Sequence, residues 1–199
     1  MPNTTGYGGF QHIGFVPGYI ASYELMARKI LGTNATTIFK GDPVIFNAGY
    51  INAAAVSTSQ VAGIFSHCTY VNSSNQTVWS NYVPISTTAT AYTLESPGSL
   101  FLVQSNGTAV NQTSINLNCG FVRGSGGSTA TGFSTALIDA ANISTVATYP
   151  FKIIQLGSDL LGGTGAAGST PNGTDNTTSY NAVIVTFNSQ GLRAGQTGV

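Results

Sequence analysis

The residues of this chain that could take part in catalysis are few. The two histidines, His12 and His67, and the two cysteines, Cys68 and Cys119, supply all of its imidazole and thiol groups. His67 and Cys68 are adjacent, an order that could place a base beside a nucleophile. On a strand, however, adjacent side chains point to opposite faces, so these two groups are not expected to meet. We therefore predict a structural histidine and buried free thiols.

The acidic residues are equally dispersed. Six carboxylates stand singly along the chain, at Glu24, Asp42, Glu95, Asp139, Asp159 and Asp175. Glycoside hydrolysis needs two carboxylates close together, and a zinc site needs several of the scarce ligands to converge. Asp42 precedes Pro43 in a turn, where a structural role is expected. We predict no catalytic residues, no metal site, no cofactor and no enzymatic activity.

One glycine pattern resembles a nucleotide-binding motif. Gly163, Gly165 and Gly168 match the GxGxxG spacing, but that fingerprint requires the loop to open a helix within a βαβ unit. Here the chain continues as STPNGTDN over residues 169–176, a composition typical of loops. We interpret the motif as part of a long loop over residues 157–179.

Charge is scarce in this sequence. Asp, Glu, Lys and Arg make up 6% of the 199 residues and cancel to a net charge of zero, whereas ordinary soluble domains contain about 25%. Such a chain has no positive field to attract nucleic acid or an anionic membrane. A neutral surface also does little to oppose association with other proteins. The predicted partners are proteins, including copies of the same chain, and neither nucleic acid nor membrane.

Apolar residues recur in short runs separated by Gly, Pro, Asn and Ser, which predicts strands joined by turns. The predicted strands cover residues 36–39, 43–46, 60–71, 77–83, 87–94, 100–104, 115–122, 151–156 and 180–187. Gly63 is expected to form a bulge. Residues 19–30 could form a helix or a strand, and we favour a strand; residues 134–142 could form a helical turn or two. The predicted fold class is all-β, a sandwich or barrel-like domain with long Gly/Ser/Thr-rich loops.

The first eighteen residues are predicted to form an extended arm, because their glycines oppose regular structure. The aromatic residues Tyr7, Phe10 and Phe15 lie on this arm, and Tyr19 follows it. Apolar side chains on an arm need a surface that receives them, so these four are the predicted partner-binding residues. The domain organisation is then an arm over residues 1–18 and a β-rich domain over residues 19–199, which could divide near residues 105–125.

Four aromatic residues lie on predicted strands: Tyr70, Trp79, Tyr82 and Tyr92. They could form a face on which a sugar stacks. Aromatic side chains more often fill a core or a protein interface, and we favour that interpretation.

Several segments together resemble a family of structural proteins encoded by tailed bacteriophages. They are TIFKGDPV (37–44), GYINAAA (49–55) and VAGIFSHCTY (61–70), the segment from Trp79 to Pro84, LFLVQ (100–104), the GSTATG loop (127–132) and a Val-Ile-Val strand near the end. The resemblance covers nearly the whole chain from Thr37 onward. The sequence differs from such proteins in having fewer acidic residues.

The resemblance implies a head decoration, or cement, protein of the virion. Such a protein would lie on the outer surface of the capsid, bind the major capsid protein and bridge its subunits to stabilise the shell. We expect a homodimer or a homotrimer. Two alternatives remain open: a tail-tube or tail-fibre component, and an extracellular carbohydrate-binding β-module.

Overall fold

A computed structural model describes residues 8–21, 23–54, 60–123, 126–158 and 177–191. In this part of the chain, antiparallel strands form two six-stranded sheets and one two-stranded sheet. The predicted all-β fold class is confirmed.

The first large sheet, sheet A, contains β1 (Gln11–Phe15), β10 (Ser99–Gln104), β11 (Asn118–Val122), β12 (Leu137–Ser144), β13 (Phe151–Leu156) and β14 (Ala182–Phe187). Their order across the sheet is β1-β10-β14-β13-β11-β12. The sheet curls so that β12, at one edge, approaches the end of β10. The N–H of Asn106, just after β10, donates to the carbonyl of Ile138 in β12 (3.0 Å). It encloses a core that is rich in phenylalanine: Phe10, Phe101, Phe121, Phe151 and Phe187.

The second large sheet, sheet B, contains β2 (Met26–Ile30), β4 (Pro43–Asn47), β5 (Tyr50–Ala53), β6 (Gly63–Val71), β7 (Thr77–Ser80) and β9 (Ala89–Leu94). The strand order is β2-β9-β6-β4-β5, and β7 pairs with the end of β6. The small sheet pairs β3 (Ile38–Phe39) with β8 (Tyr82–Val83). Because β5 packs back against β2, sheet B also curls, around a second core that includes Ile51, Phe65 and Cys68.

The two sheets are joined through shared apolar packing. Ile64 of β6 and Leu94 of β9 belong to sheet B, yet their side chains pack in the phenylalanine-rich core of sheet A. Two backbone bridges, Lys40 to Phe133 and Val61 to Gln190, connect the same regions. Strands β6 and β9 therefore contribute to both cores, since Phe65 and Ala91 on the same strands pack in the core of sheet B.

Most predicted strands are confirmed with shifted bounds, including the strand favoured within residues 19–30, which is β2. The helical turns predicted for residues 134–142 are wrong, because Leu137 begins β12, which pairs along β11. The bulge predicted at Gly63 is also wrong, since the register shift in β6 lies between Phe65 and His67. Gly63 instead permits close packing: a Cβ there would lie 2.5 Å from the carbonyl oxygen of Leu94.

The prediction of an extended arm over residues 1–18 is wrong for residues 10–15. β1 pairs with β10, from Gln11 opposite Leu102 to Phe15 opposite Ser99. Phe10 is only 3% exposed, and its ring stacks on that of Phe151 with the centroids 4.5 Å apart. The glycines of this segment do not prevent regular structure, because they allow backbone segments to approach each other closely.

Gly9 illustrates this close approach. It adopts a positive φ of 79°, and a Cβ at this position would lie 2.7 Å from the carbonyl oxygen of Gly41. The same carbonyl accepts a hydrogen bond from the N–H of Phe10 (3.0 Å). Only glycine at position 9 allows its backbone to lie this close to that of Gly41, and this contact places the side chain of Phe10 in the core.

A buried carboxylate fixes the turn between β3 and β4, in agreement with the structural role expected for Asp42. It accepts hydrogen bonds from the N–H of Phe39 (2.9 Å), the hydroxyl of Ser134 (2.6 Å) and the guanidinium of Arg123 (2.7 Å). Burial raises the pKa of Asp42, and these donors act in the opposite direction by stabilising the charged form. A second ion pair joins Arg28 to Glu95, which is 1% exposed.

Candidate functional site

The predicted partner-binding residues have different environments. Tyr7 lies outside the described residues, and Phe10 is buried, so its predicted contact with a partner is wrong. Phe15 is half-buried in β1 and contacts the ring of Tyr23 edge to face, with the centroids 5.2 Å apart. Tyr19 is 51% exposed, and its ring lies so close to Gly98 that a Cβ there would clash with it.

Exposed apolar side chains are concentrated along the segment that leads from β1 to β2. We define the N-terminal surface as Ile13, Tyr19, Ile20, Tyr23 and Met26. Ile20 is 90% exposed and Tyr23 is 69% exposed. Within the described chain β1 pairs only with β10, so this surface adjoins an edge strand of sheet A. Large exposed apolar groups that lie close together are typical of a protein-binding surface.

A row of three rings crosses the outer face of sheet B. The rings of Tyr92 and His67 are stacked, with the centroids 4.6 Å apart and the planes inclined by 15°. Trp79 follows, with its ring centroid 5.4 Å from that of His67. Burial and the positive charge of Lys40 lower the pKa of His67. The ring of His67 lies between two aromatic rings.

Cys68 lies on the opposite face of β6, as predicted. It is fully buried in the core of sheet B, and its thiol donates to the carbonyl of Tyr82 at 3.3 Å. Burial raises the pKa of Cys68 to about 12. Cys119 is buried in the core of sheet A, where burial raises its pKa as well, and both cysteines are free. The thiols are separated from His67 and from each other, so they form no catalytic pair.

The four aromatic residues weighed in the sequence divide into two pairs. Tyr70 packs against the core of sheet B, and Tyr82 stacks on Phe39 with the ring centroids 5.9 Å apart. Tyr92 and Trp79 lie on the outer face instead, and Trp79 is 59% exposed. Tyr70 and Tyr82 are thus half-buried, whereas Trp79 is a surface residue, and a role in a protein interface stays a prediction.

An open cleft of about 450 Å³ lies at one end of sheet B. Its lining is rich in hydroxyl groups, and its polar members are Lys29, Tyr50, Thr69, Tyr70, Thr77, Thr88 and Thr90. Lys29 is the only charged residue in this lining. Thr69 lies opposite both Thr90 and Trp79 in the strand register, so the cleft adjoins the row of rings.

The spacing of residues in the sequence carries a signal for this face. His67 and Thr69, Thr77 and Trp79, and Thr90 and Tyr92 are each separated by two positions on a strand. Side chains two apart share a face, so three strands present hydroxyl and aromatic groups together. The pattern becomes visible only when these three strands are known to be neighbours.

A second cleft, of about 500 Å³, separates β1 from β6 and is lined by Phe10, His12, Tyr23, Lys40, Ser66 and Phe101, among others. Burial lowers the pKa of His12. The Nε2 atom of His12 is buried and has no hydrogen-bond partner in the described part of the chain.

Among the described residues, no group of three or more His, Cys, Asp or Glu side chains could hold a metal ion. The GxGxxG segment at residues 163–168 lies outside the described residues. No helix in the described ranges is both long and apolar enough to cross a membrane. Comparison with protein-family models, curated proteins and solved structures gives no match for this chain.

Proposed function

We propose that this chain is a structural protein of a bacteriophage head, a decoration or cement protein that binds the outer surface of the assembled capsid. In this role it bridges neighbouring subunits of the major capsid protein and carries out no catalysis. The proposal begins from the sequence resemblance to phage structural proteins. The structural observation that supports it best is the N-terminal surface, which offers apolar contact area beside a strand edge.

The contact proposed here differs from the free arm expected from the sequence. Residues 11–15 already pair with β10, so they are not available to join a foreign sheet as a donated strand. The exposed apolar side chains of the N-terminal surface can instead contact a capsid subunit directly. Side chains such as Ile20 and Tyr23 would lose exposed apolar area on contact, which contributes about 25 cal/mol per Å².

The scarcity of charge fits such a contact. Six basic and six acidic residues in 199 leave the surface neutral, and contacts made by apolar groups are little affected by salt. A protein that binds only the assembled shell stabilises it to the extent that its sites are filled. Bridging two subunits makes the second contact effectively intramolecular, so each contact can be weak.

The test is sedimentation of the purified protein with expanded shells that lack it. The double variant Tyr19→Ser, Ile20→Asp removes apolar contact area from the N-terminal surface, and we expect its affinity for shells to fall about tenfold or more. The matched control is Ile85→Asp, which places the same charge at an isoleucine that is 57% exposed elsewhere. Decorated shells should also burst at a higher temperature than bare ones.

Two results would contradict the proposal. One is a folded wild-type protein that does not sediment with shells. The other is an equal bursting temperature for bare and decorated shells. Immunogold labelling of virions separates the head from the tail, and labelling confined to the tail would favour the tail-component alternative.

A further inference from the structure

We propose that the outer face of sheet B is a binding site for neutral carbohydrate. We define the sugar face as the rings of His67, Trp79 and Tyr92 with the hydroxyls of Thr69, Thr77 and Thr90. This site is separate from the N-terminal surface, and it does not depend on the role proposed for that surface.

Trp79 is the residue on which a sugar ring would stack. Tyr92 and His67 cover each other, because their planes are nearly parallel at a separation of 4.6 Å. Trp79 ends the row, is tilted by 35° relative to His67 and remains 59% exposed. The indole face carries partial negative charge, whereas the C–H groups on one side of a pyranose are slightly positive. Stacking on Trp79 therefore removes apolar surface from water with a favourable electrostatic contact.

The hydroxyl groups beside Trp79 supply the polar part of the site. Thr69 lies directly opposite Trp79, and Thr90 lies opposite Thr69 on the next strand. Each hydroxyl donates one hydrogen bond and accepts others. Sugar hydroxyls lose water on binding and need such partners in return. The adjoining cleft of about 450 Å³ lies within the range of small-molecule sites, roughly 300–1,000 Å³.

Recognition on the sugar face rests on stacking and hydroxyl groups more than on charge. Lys29 is the only charged residue in the cleft lining, and the positive charge of Lys40 acts on His67. No carboxylate or arginine lines the cleft, so the bidentate recognition of anionic groups is absent from this lining. Six of the seven polar lining residues carry a hydroxyl group, so the hydroxyl groups of neutral hexopyranose chains supply the matching hydrogen-bond chemistry.

A protein partner fits the sugar face less well than a sugar does. Protein interfaces place their aromatic anchors among other large apolar side chains. The N-terminal surface has that composition, whereas Trp79 lies beside Thr69, Thr77 and the ring of His67, with Val71 as the exposed apolar residue opposite Thr77. The hydroxyl-rich setting of Trp79 is the observation that favours carbohydrate.

Trp79 also makes the proposal easy to test, because it is the only tryptophan in the chain. The probes are neutral oligosaccharides of the gluco-, manno-, galacto- and N-acetylglucosamine series, added to the intact protein while tryptophan fluorescence is recorded. We expect at least one series to give a saturable change in emission at millimolar concentration or below. A glycan array then identifies the preferred linkage.

Variants separate stacking from hydrogen bonding. We expect Trp79→Ala to weaken binding about tenfold or more, measured by calorimetry because the fluorescent group is lost. Thr69→Val and Thr90→Val keep the side-chain volume and remove the hydroxyl, and each should weaken binding several-fold. The control is Ile85→Ala, since Ile85 is 57% exposed and lies outside the site. Circular dichroism verifies that each variant is folded.

Three outcomes would overturn the proposal. The first is that no neutral series changes the fluorescence or binds the array. The second is that binding survives Trp79→Ala unchanged. The third is that Trp79→Ala leaves sugar binding intact but abolishes binding to shells, which would assign this face to a protein partner. Failure of shell binding in the wild-type protein would leave the sugar result unaffected, so the two proposals fail independently.

Discussion

Asp42 and Arg123 are 81 positions apart in the sequence and form a buried ion pair. The carboxylate of Asp42 is fully buried, so its charge depends on the guanidinium and on the donors from Phe39 and Ser134. Arg123 also donates to the carbonyl of Thr37. The turn between β3 and β4 is thereby attached to the segment that follows β11.

We predict that Arg123→Met lowers the free energy of unfolding by about 3–5 kcal/mol, because it leaves a buried carboxylate without its counter-charge. Urea denaturation followed by circular dichroism measures this change. The control is Lys152→Met, since the amino group of Lys152 donates to Asn116 at an exposed position. Equal unfolding midpoints for the two variants would contradict the importance assigned to the ion pair.

The two histidines are expected to make the free energy of unfolding depend on pH. The pKa values of His12 and His67 are both lowered in the folded protein, so the unfolded chain binds protons more readily than the folded chain does. Their contribution to stability is complete above the unfolded pKa, about 6.5, and decreases as the pH falls below it. The urea concentration or temperature at the unfolding midpoint should therefore decrease as the pH is lowered from about 7 to about 5.

The double variant His12→Gln, His67→Gln tests this origin of the pH dependence. Its unfolding midpoint should change less over the same pH range than that of the wild-type protein. If the slope is unchanged, the buried carboxylates and not the histidines are responsible.

Single residues were predictable where the cause is local. The structural role of Asp42 follows from its place before Pro43, and the separation of His67 from Cys68 follows from strand geometry. The identity of Arg123 as the partner of Asp42 was not predictable, because it depends on contacts between distant strands. The burial of Phe10 was missed for the same reason.

At the scale of elements, β1 is part of the sheet and not an appendage. Phe10 precedes it directly and packs between the rings of Phe101 and Phe151. We predict that Phe10→Ala lowers the free energy of unfolding by about 3–5 kcal/mol, because it leaves a cavity in the core. Thermal or urea unfolding measures the change.

Ile13→Ala is the comparison for Phe10→Ala. Ile13 is 40% exposed, and a surface substitution away from special features changes stability by about 0.5 kcal/mol or less. Similar losses in the two variants would mean that the position of Phe10 in the core is incorrect.

Strand existence was largely predictable, and strand pairing was not. Alternation of apolar residues and turn signals located most strands within a few residues. The ALIDAAN segment was misassigned because Ala and Leu favour helix, while pairing with β11 makes it the strand β12. The sugar face was unpredictable in the same sense, since it requires β6, β7 and β9 to be neighbours.

At the scale of the whole molecule, each of the two curled sheets buries one cysteine, and the reactivity of its thiol can be used to detect unfolding of that sheet. Cys119 lies in the core of sheet A, and Cys68 lies in the core of sheet B. Burial raises the pKa of both thiols, and only the thiolate reacts with alkylating reagents. We predict that neither cysteine reacts in the native protein and that both become reactive at the same denaturant concentration, because strands β6 and β9 contribute side chains to both cores.

Alkylation followed by mass spectrometry measures the two rates separately. Rapid modification of either thiol without denaturant would contradict its burial. Reactivity that appears at two different denaturant concentrations would show that the sheets open independently.

The expected oligomeric state also belongs to the whole molecule. A neutral chain with an exposed apolar segment has little electrostatic opposition to self-association. A closed homodimer or homotrimer therefore remains our prediction. Sedimentation velocity over a range of concentrations checks it, and a monomer at every concentration would contradict it.

The central position of β14 has a consequence for the synthesis of the protein. β14 lies between β10 and β13, so these two strands cannot acquire their shared neighbour until residue 187 has left the ribosome. Before that moment the nascent chain holds two unpaired strand edges and the apolar faces that carry Phe101 and Phe151. A ribosome-stalled chain that ends before Ala182 should remain sensitive to protease and bound by chaperones, whereas the chain released beyond residue 187 should become resistant.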